Sequence, residues 1–413
     1  MPQDPLASKA RRLEAAVLTK CVDPDGLLLF FTRRPDMGPP DDVIRQIHPE
    51  FVPHVTAIDR EVYFKYENSN QAAGKFIAAM SYRYAATQDP EAAESARVPF
   101  RHLCKAFDWA ISVGEPGFLP KVYGGLRGEY ARRETYHETS LDQMGIPCFG
   151  LWQFWQKVAT AQEAERIANY FQLAGHWWMS HDYLHMYGGK LKPAFNPARP
   201  YRSAIYKIFV AMHAGAKATG DAVLLAEVEK WVGKAIKVGT LRLYDQYMPE
   251  TKDYVNWAQG AYYFLTQSDL ASRDYWLDLI DGYWRAAKTT LLPDIGLSMA
   301  MGQFDAQEWR LKPYQSGDST DPQWGYQGPI PSPSMSCDNA WLAILAYELG
   351  LDDHAPAWAR PILERLDETN LAEVLDLKGD LPAVIRWRSQ IILTEAVGQW
   401  LGCYWHGKLV GAW

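Results

Sequence analysis

Residues 141–179 read LDQMGIPCFGLWQFWQKVATAQEAERIANYFQLAGHWWM. The first half, to Lys157, is apolar almost all round, as expected of a helix buried on several faces. The stretch ATAQEAER (159–166) then reads as a stop and restart of the helix. The second half carries charge on one side and apolar residues on the other, the pattern of a helix with one solvated face. The unit is a helical hairpin with an inner and an outer arm.

The same grammar recurs along the chain. It starts at Asn68 (NSNQAAGKFIAAM…), Tyr201 (YRSAIYKIFVAM…), Asn256 (NWAQGAYYFLTQ…), Cys337 (CDNAWLAILAYE…) and Arg388 (RSQIILTEAVGQW…). TQDPEAAE (87–94) and ATGDAVLL (218–225) supply equivalent turns, with Gly, Asp or Pro at the junction. Sustained β-branched alternation is missing, so no large sheet is expected. Six such hairpins predict an all-α fold, an (α/α)6 toroid with an inner and an outer ring of helices. An open solenoid of the same hairpins is the alternative. Unequal hairpin lengths and long irregular loops before the inner helices favour closure. The toroid, as catalytic domain, is expected over 51–413. Residues 1–50 are expected as an N-terminal extension packed on the barrel, with RRPDMGPPDD (33–42) a turn-rich connection.

Composition narrows the function classes. Of 413 residues, 48% are hydrophobic and 22% charged, which suits a globular domain rather than a disordered one. A net charge of −7 gives no footprint for nucleic acid or an anionic membrane. The 17 Trp and 23 Tyr are an ample supply of flat amphipathic rings, of use against sugar faces as well as in a core. The expected partner is a small carbohydrate. Cys21, Cys104, Cys148, Cys337 and Cys403 stand singly, the pattern of reduced thiols rather than a disulfide framework. The N-terminus has no secretory h-region, and GLLLFF (26–31) is too short to span a bilayer. A cytoplasmic protein is expected.

If the inner helices run parallel, the loops that lead into them converge on one rim. The helix N-termini there favour an anionic ligand. The polar residues gather in those loops: YFKYENSNQ (63–71), RRETYHETSLDQ (132–143), PARPYRS (197–203), DYVNW (253–257), SPSMSCDNAW (332–341) and IRWRSQ (385–390). The Pro/Gly/Ser-rich segment 312–334 reads as a lid or binding loop. Asp142 and Asp338 each precede or open an inner helix, so on position each reads first as an N-cap and second as an acid at the mouth.

SLDQMGIPCFGLWQFW (140–155) resembles the D-x-M-x-x-P element of the unsaturated glucuronyl hydrolases and related six-hairpin glycosidases. The resemblance covers about 16 residues, together with the six-hairpin grammar over most of the chain. It implies a hydrolase that releases a terminal uronic acid, 4,5-unsaturated or not, with Asp142 as general acid/base. Those families carry a second Asp at the start of an earlier hairpin. Here that place reads YENSNQ (66–71), which offers Glu67 instead. Asp338 from the opposite side, Glu138 and Asp182 are the other candidates for the second carboxylate.

Around Asp142, Tyr136 and His137 share its loop, and Arg133 is placed to hold a uronate carboxylate, as are Arg386 and Arg388 flanking Trp387. Trp152, Trp257 and Trp341 are candidates for sugar stacking or for the core. GHWWMSHDYLHMYGG (175–189) holds His181, Asp182 and His185. On a helix, His181 and His185 would share a face, as in two-His zinc sites. Asp follows His181 where a zinc protease has Glu, and no third ligand is identifiable, so neither metal nor cofactor is expected. A His–Asp pair there would suit acid–base chemistry. With Tyr136/His137 or His181/Tyr183 as base, the same scaffold would serve a polysaccharide lyase, and with a His pair a sugar epimerase. A non-catalytic α/α scaffold is the third class.

Overall fold

The computed structural model describes residues 5–34, 65–122, 124–126, 138–187, 190–195, 202–242, 254–292, 296–298, 303–305, 310–312, 331–377, 379 and 386–413. In chain order the helices are α1 Pro5–Lys20, α2 Ser69–Thr87, α3 Pro90–Ser112, α4 Leu141–Lys157, α5 Ala161–Ser180, α6 Arg202–Lys207, α7 Phe209–Thr219, α8 Ala222–Val238, α9 Tyr254–Gln267, α10 Arg273–Lys288, α11 Pro333–Glu348, α12 Ala355–Arg365 and α13 Thr394–Leu409. Helices α6 and α7 are one inner helix with a local irregularity. The Ile208 and Met212 N–H groups still reach the carbonyls of Ala204 and Ile208.

Burial separates the two rings. Every residue of α2 from Ser69 to Arg83 is buried, as is every residue of α13 from Thr394 to Gly407. The outer helix α8 buries only Leu224, Val228, Val232 and Ala235, a single stripe at helical spacing. Consecutive inner helices touch in the order α2, α4, α6, α9, α11, α13, and α13 packs back on α2. That last contact closes the ring and excludes the open solenoid. The fold is an (α/α)6 toroid.

The sixth outer position is filled from the other end of the chain. Helix α1 packs on α13 and buries Leu6, Ala10, Leu13 and Val17 as one stripe. On one side, Lys9 donates to the carbonyls of Leu363, Glu364 and Leu366 at 2.8–2.9 Å, capping the end of α12. On the other, Glu14 accepts from Ser95 of α3 at 2.7 Å and is paired with Arg83 of α2. Strand β1 (Phe31–Arg33) pairs with β8 (Ile391–Leu393), Phe31 opposite Leu393, and seals the two chain ends together. Residues 5–20 thus pack on the last inner helix, between α12 and α3.

The remaining described strands form two-stranded sheets in the loops: β2 Leu184–Tyr187 with β3 Lys190–Pro193, β4 Leu291–Leu292 with β5 Leu297–Ser298, and β6 Gln303–Asp305 with β7 Arg310–Lys312. All five cysteines are free and buried. Among the described residues, no helix is long and apolar enough to cross a membrane.

Helices α2 and α4 meet backbone to backbone through two glycines. A Cβ on Gly150 would lie 2.2 Å from the Gly74 carbonyl oxygen, and one on Gly74 would lie 2.6 Å from the Pro147 nitrogen. Neither neighbour is a flexible side chain, so the helices would have to separate. Gly150→Ala is expected to destabilise the protein by about 1–3 kcal/mol, read as a lower denaturant midpoint. An unchanged midpoint would contradict this packing.

Three buried histidines predict acid sensitivity. Burial pushes the pKa of His102 down to about 3, and those of His185 and His213 down to about 4. His102 Nδ1 accepts the Leu28 N–H at 2.8 Å, while Nε2 meets Asn70 Oδ1 at 2.9 Å. Above the unfolded value near 6.5, both folded and unfolded states are neutral and these groups contribute nothing. Below it, only the unfolded chain takes up the protons, so stability falls as pH drops from about 6.5 towards 4, and to about 3 for His102. Denaturant midpoints measured across that window should decline, and His213→Gln should flatten the decline. A profile level from pH 7 to 4 would refute the assignment.

Candidate active site

Asp142 lies in the first turn of α4, at the end of the toroid where the inner helices begin. It does not cap that helix. Ser140 does, with extended backbone (φ −152°, ψ 166°) and its Oγ accepting the Gln143 N–H at 3.4 Å. Freed from capping, Asp142 forms an ion pair with Lys207 at the end of α6. The Asp142 side chain is 31% exposed and that of Lys207 only 3%. Gly145 makes this possible: a Cβ there would lie 2.3 Å from Lys207 Cγ, so the lysine stem crosses α4 where the side chain is missing.

A second acid–lysine pair links two other inner helices. Asp338 of α11 pairs with Lys75 of α2 at 3.1 Å, and both side chains are buried. Lys75 also donates to Asn256 Oδ1 of α9 at 2.7 Å and sits 5.5 Å above the ring of Trp341. Lys207 of the first pair and Asn256, which accepts from Lys75 of the second, both line a small internal gap with Gly145, Tyr206 and Gln259, among others. Gln259 is buried, and its Nε2 has no hydrogen-bond partner among the described residues.

Glu67 supplies the third pair, with buried Lys121 at 3.0 Å. Burial pulls the Lys121 pKa down, but Glu67, Tyr187 and Glu138 outweigh it and the net direction is up. Its ammonium lies 4.8 Å from the Tyr187 ring centre, and its backbone N–H donates to the Glu138 carbonyl at 2.7 Å. Gln143 ties this group to Asp142's turn, donating to the Glu67 carbonyl at 3.3 Å and to Asn68 Oδ1 at 3.0 Å. Glu67, Glu138 and Asp142 therefore share one side of the mouth, while Asp338 is buried on α11.

The histidine cluster is not arranged as expected. Helix α5 ends at Ser180, and Asp182 and Tyr183 take φ of +51° and +56° before β2 begins. His181 and His185 therefore do not share a helical face. His181 is exposed and stacked on Trp177 at 4.2 Å, whereas His185 is buried beside Trp178 at 5.7 Å. The Tyr183 hydroxyl donates to Glu227 at 3.1 Å, and burial followed by Glu227 pushes its pKa up, which disfavours it as a base. Asp182 is exposed at this turn, whereas His185 is buried. Among the described residues, no three His, Cys, Asp or Glu side chains are grouped to hold a metal ion.

Of the aromatic candidates, Trp152, Trp257 and Trp341 are 5%, 7% and 1% exposed. Trp152 meets the edge of Tyr263 at 5.1 Å, Trp257 donates to Ser203 Oγ at 3.2 Å, and Trp341 donates to His406 Nδ1 at 3.2 Å. Their rings are committed to the core, so they do not offer free stacking faces. Arg388 is paired with Glu373 at 2.5 Å and Arg386 lies 4.0 Å from Asp376, with Trp387 between them in a single 3-10 turn. Arg133, Tyr136 and His137 lie outside the described residues, as do residues 313–330 of the segment 312–334 expected as a lid or binding loop.

No protein-family model matches the chain, and no curated protein matches its sequence. Solved structures do. A crystal structure of a D-mannose isomerase aligns over 100% of both chains with a TM-score of 0.55 at 14% identity. A possible member of the GH105 family from Klebsiella pneumoniae aligns over 99% of this chain and 94% of its own at a TM-score of 0.47 and 11% identity. A family 88 glycosyl hydrolase from Bacteroides vulgatus covers 90% of this chain and all of its own at 0.45 and 10%. What the chain shares with the isomerase is the fold.

Sequence reading passed over the three lysines. Lys75 in AAGKFIAA (72–79) and Lys207 in AIYKIFVA (204–211) are solitary charges inside otherwise apolar inner-helix runs. A lysine on a helix with no solvated face must find a buried acid, and that is the signal that identifies them.

Proposed function

We propose that this chain is a carbohydrate-active enzyme, a glycoside hydrolase that releases a terminal uronic acid, saturated or 4,5-unsaturated, from oligosaccharides or glucuronides. Asp142 is its general acid/base. The observation that carries the reading is that Asp142 stands at the mouth of a closed toroid, partly exposed, excused from capping by Ser140 and held by a buried lysine. Glycosidic cleavage needs a pair of carboxyl groups near the scissile bond. Glu67 is the second choice for that pair, because Gln143 joins its backbone to the same turn. Inner-helix N-termini beneath the mouth favour the uronate carboxylate.

A sugar isomerase or epimerase is the second reading, suggested by the whole-chain likeness to a D-mannose isomerase. Absorbance of the conjugated C4=C5 bond separates the possibilities. An unsaturated-uronyl hydrolase abolishes that signal and a lyase creates it. A glucuronidase liberates the aglycone of a chromogenic glucuronide without either change. Interconversion of free sugars with every glycosidic bond intact would favour the isomerase and defeat the hydrolase.

A further inference from the structure

Asp142 is the exposed end of an ion pair and Lys207 its buried end. At 3% exposure the Lys207 side chain is buried, and its ammonium meets the partly exposed Asp142 carboxylate. We infer that Lys207 is a positioning residue of the active site: its ammonium holds the Asp142 side chain directed at the mouth and favours its carboxylate form in the unliganded protein. The inference rests on the reading of Asp142 as the acid/base and adds its charge state in the unliganded protein.

Three features of the sequence are explained together by this arrangement. Ser140 takes over the capping duty that would otherwise compete for the Asp142 oxygens. Gly145 leaves the space through which the Lys207 stem passes. Lys207 itself interrupts the apolar run Ala204–Ala211, where an ammonium is costly unless a counter-charge meets it. The gap at Gly145 and the charge at Lys207 are not needed for a helix merely to start at Leu141, which the Ser140 cap provides.

Among the described residues, the other charged groups around the pair are matched to one another. From the α2 side comes Glu67, bound to Lys121, which also faces Glu138 in the segment leading into α4. From α11 and α2, beyond Asn256 of α9, comes the Asp338–Lys75 pair. From α9, Gln259 offers the shared gap a neutral donor. Among the described residues Lys207 is a cation in direct contact with Asp142, and an adjacent cation favours the ionised form of a carboxyl group.

The test reads ionisation directly and needs no substrate. The Asp142 carboxyl is titrated by 13C NMR in the full-length protein, its signal identified by its loss in Asp142→Asn. Lys207→Met is expected to move the midpoint up by about one pH unit or more, and Lys207→Arg to leave it near the wild-type position. Gly145→Ala, which displaces the lysine stem without removing its charge, should move it in the same direction and serves where Lys207→Met does not fold. The acidic limb of kcat/KM against pH should follow the midpoint. A wild-type midpoint in folded Lys207→Met or Gly145→Ala would overturn the inference. Absence of uronide hydrolysis in the wild type would instead count against the proposed function, with the midpoint still reporting on Lys207.

Discussion

Asp142→Asn is expected to lower kcat/KM for uronide hydrolysis by about 10²- to 10⁴-fold, the usual contribution of a positioned acid or base. Asparagine keeps the size of the side chain and an oxygen that can still accept from Lys207. Ser140 continues to cap α4, because that bond does not involve residue 142. The loss should therefore fall on turnover, with circular dichroism and the oligomeric profile unchanged. The corresponding change at Ser140 should behave in the opposite way. Removing the cap costs about 1 kcal/mol of stability and leaves the carboxylate in place.

Asp338→Ala is expected to produce the largest loss of stability, about 3–5 kcal/mol, because it strands a buried charge. Lys75 would keep only the Asn256 oxygen and the face of Trp341, both uncharged partners. The Asp338 and Lys75 side chains are 3% and 1% exposed, so water does not compensate. The pair as a whole is a different matter. Two buried charges are each expensive to desolvate, and replacing both by apolar residues of similar volume is often close to neutral. Lys75→Met combined with Asp338→Leu should accordingly recover most of what Asp338→Ala loses. A double variant as unstable as the single one would show that the acid does more than balance the lysine.

The ring was legible because its inner helices are buried on every side, which leaves an unbroken apolar signature and a sharp contrast with their charged partners. The starts at Asn68 and Leu141 agree with the observed helices to within a residue. The sixth outer helix was not legible. The amphipathic stripe of 5–20 shows that it packs on something, but nothing local says that the partner is the last helix of the chain. The histidine arrangement failed for a related reason. The sequence 177–187 continues a helical pattern, yet Tyr183 turns inward to pack on Phe195 and Phe209 and to reach Glu227, and two left-handed residues result. Tertiary packing overrode local preference.

At the site, the sequence located Asp142 but could not separate cap from acid by position alone. The decisive clue was two residues upstream: Ser140 followed three later by Gln143 has the spacing of a capping box. Asp338, Glu67 and Asp142 were each visible as acids at the start of an inner helix or just before one. The lysines of Asp338 and Asp142 come from other hairpins, and that of Glu67 from beyond the end of its own, so the pairing is set by the ring rather than by neighbours in sequence.

The most direct test of the central claim is a crystal structure of the Asp142→Asn protein with a uronic-acid-terminated oligosaccharide that the wild type cleaves. The terminal uronate is expected in the mouth formed by the inner-helix N-termini, with the scissile bond within hydrogen-bonding reach of residue 142, directly or through one water. A sugar bound elsewhere on the toroid, with residue 142 facing only Lys207, would contradict it.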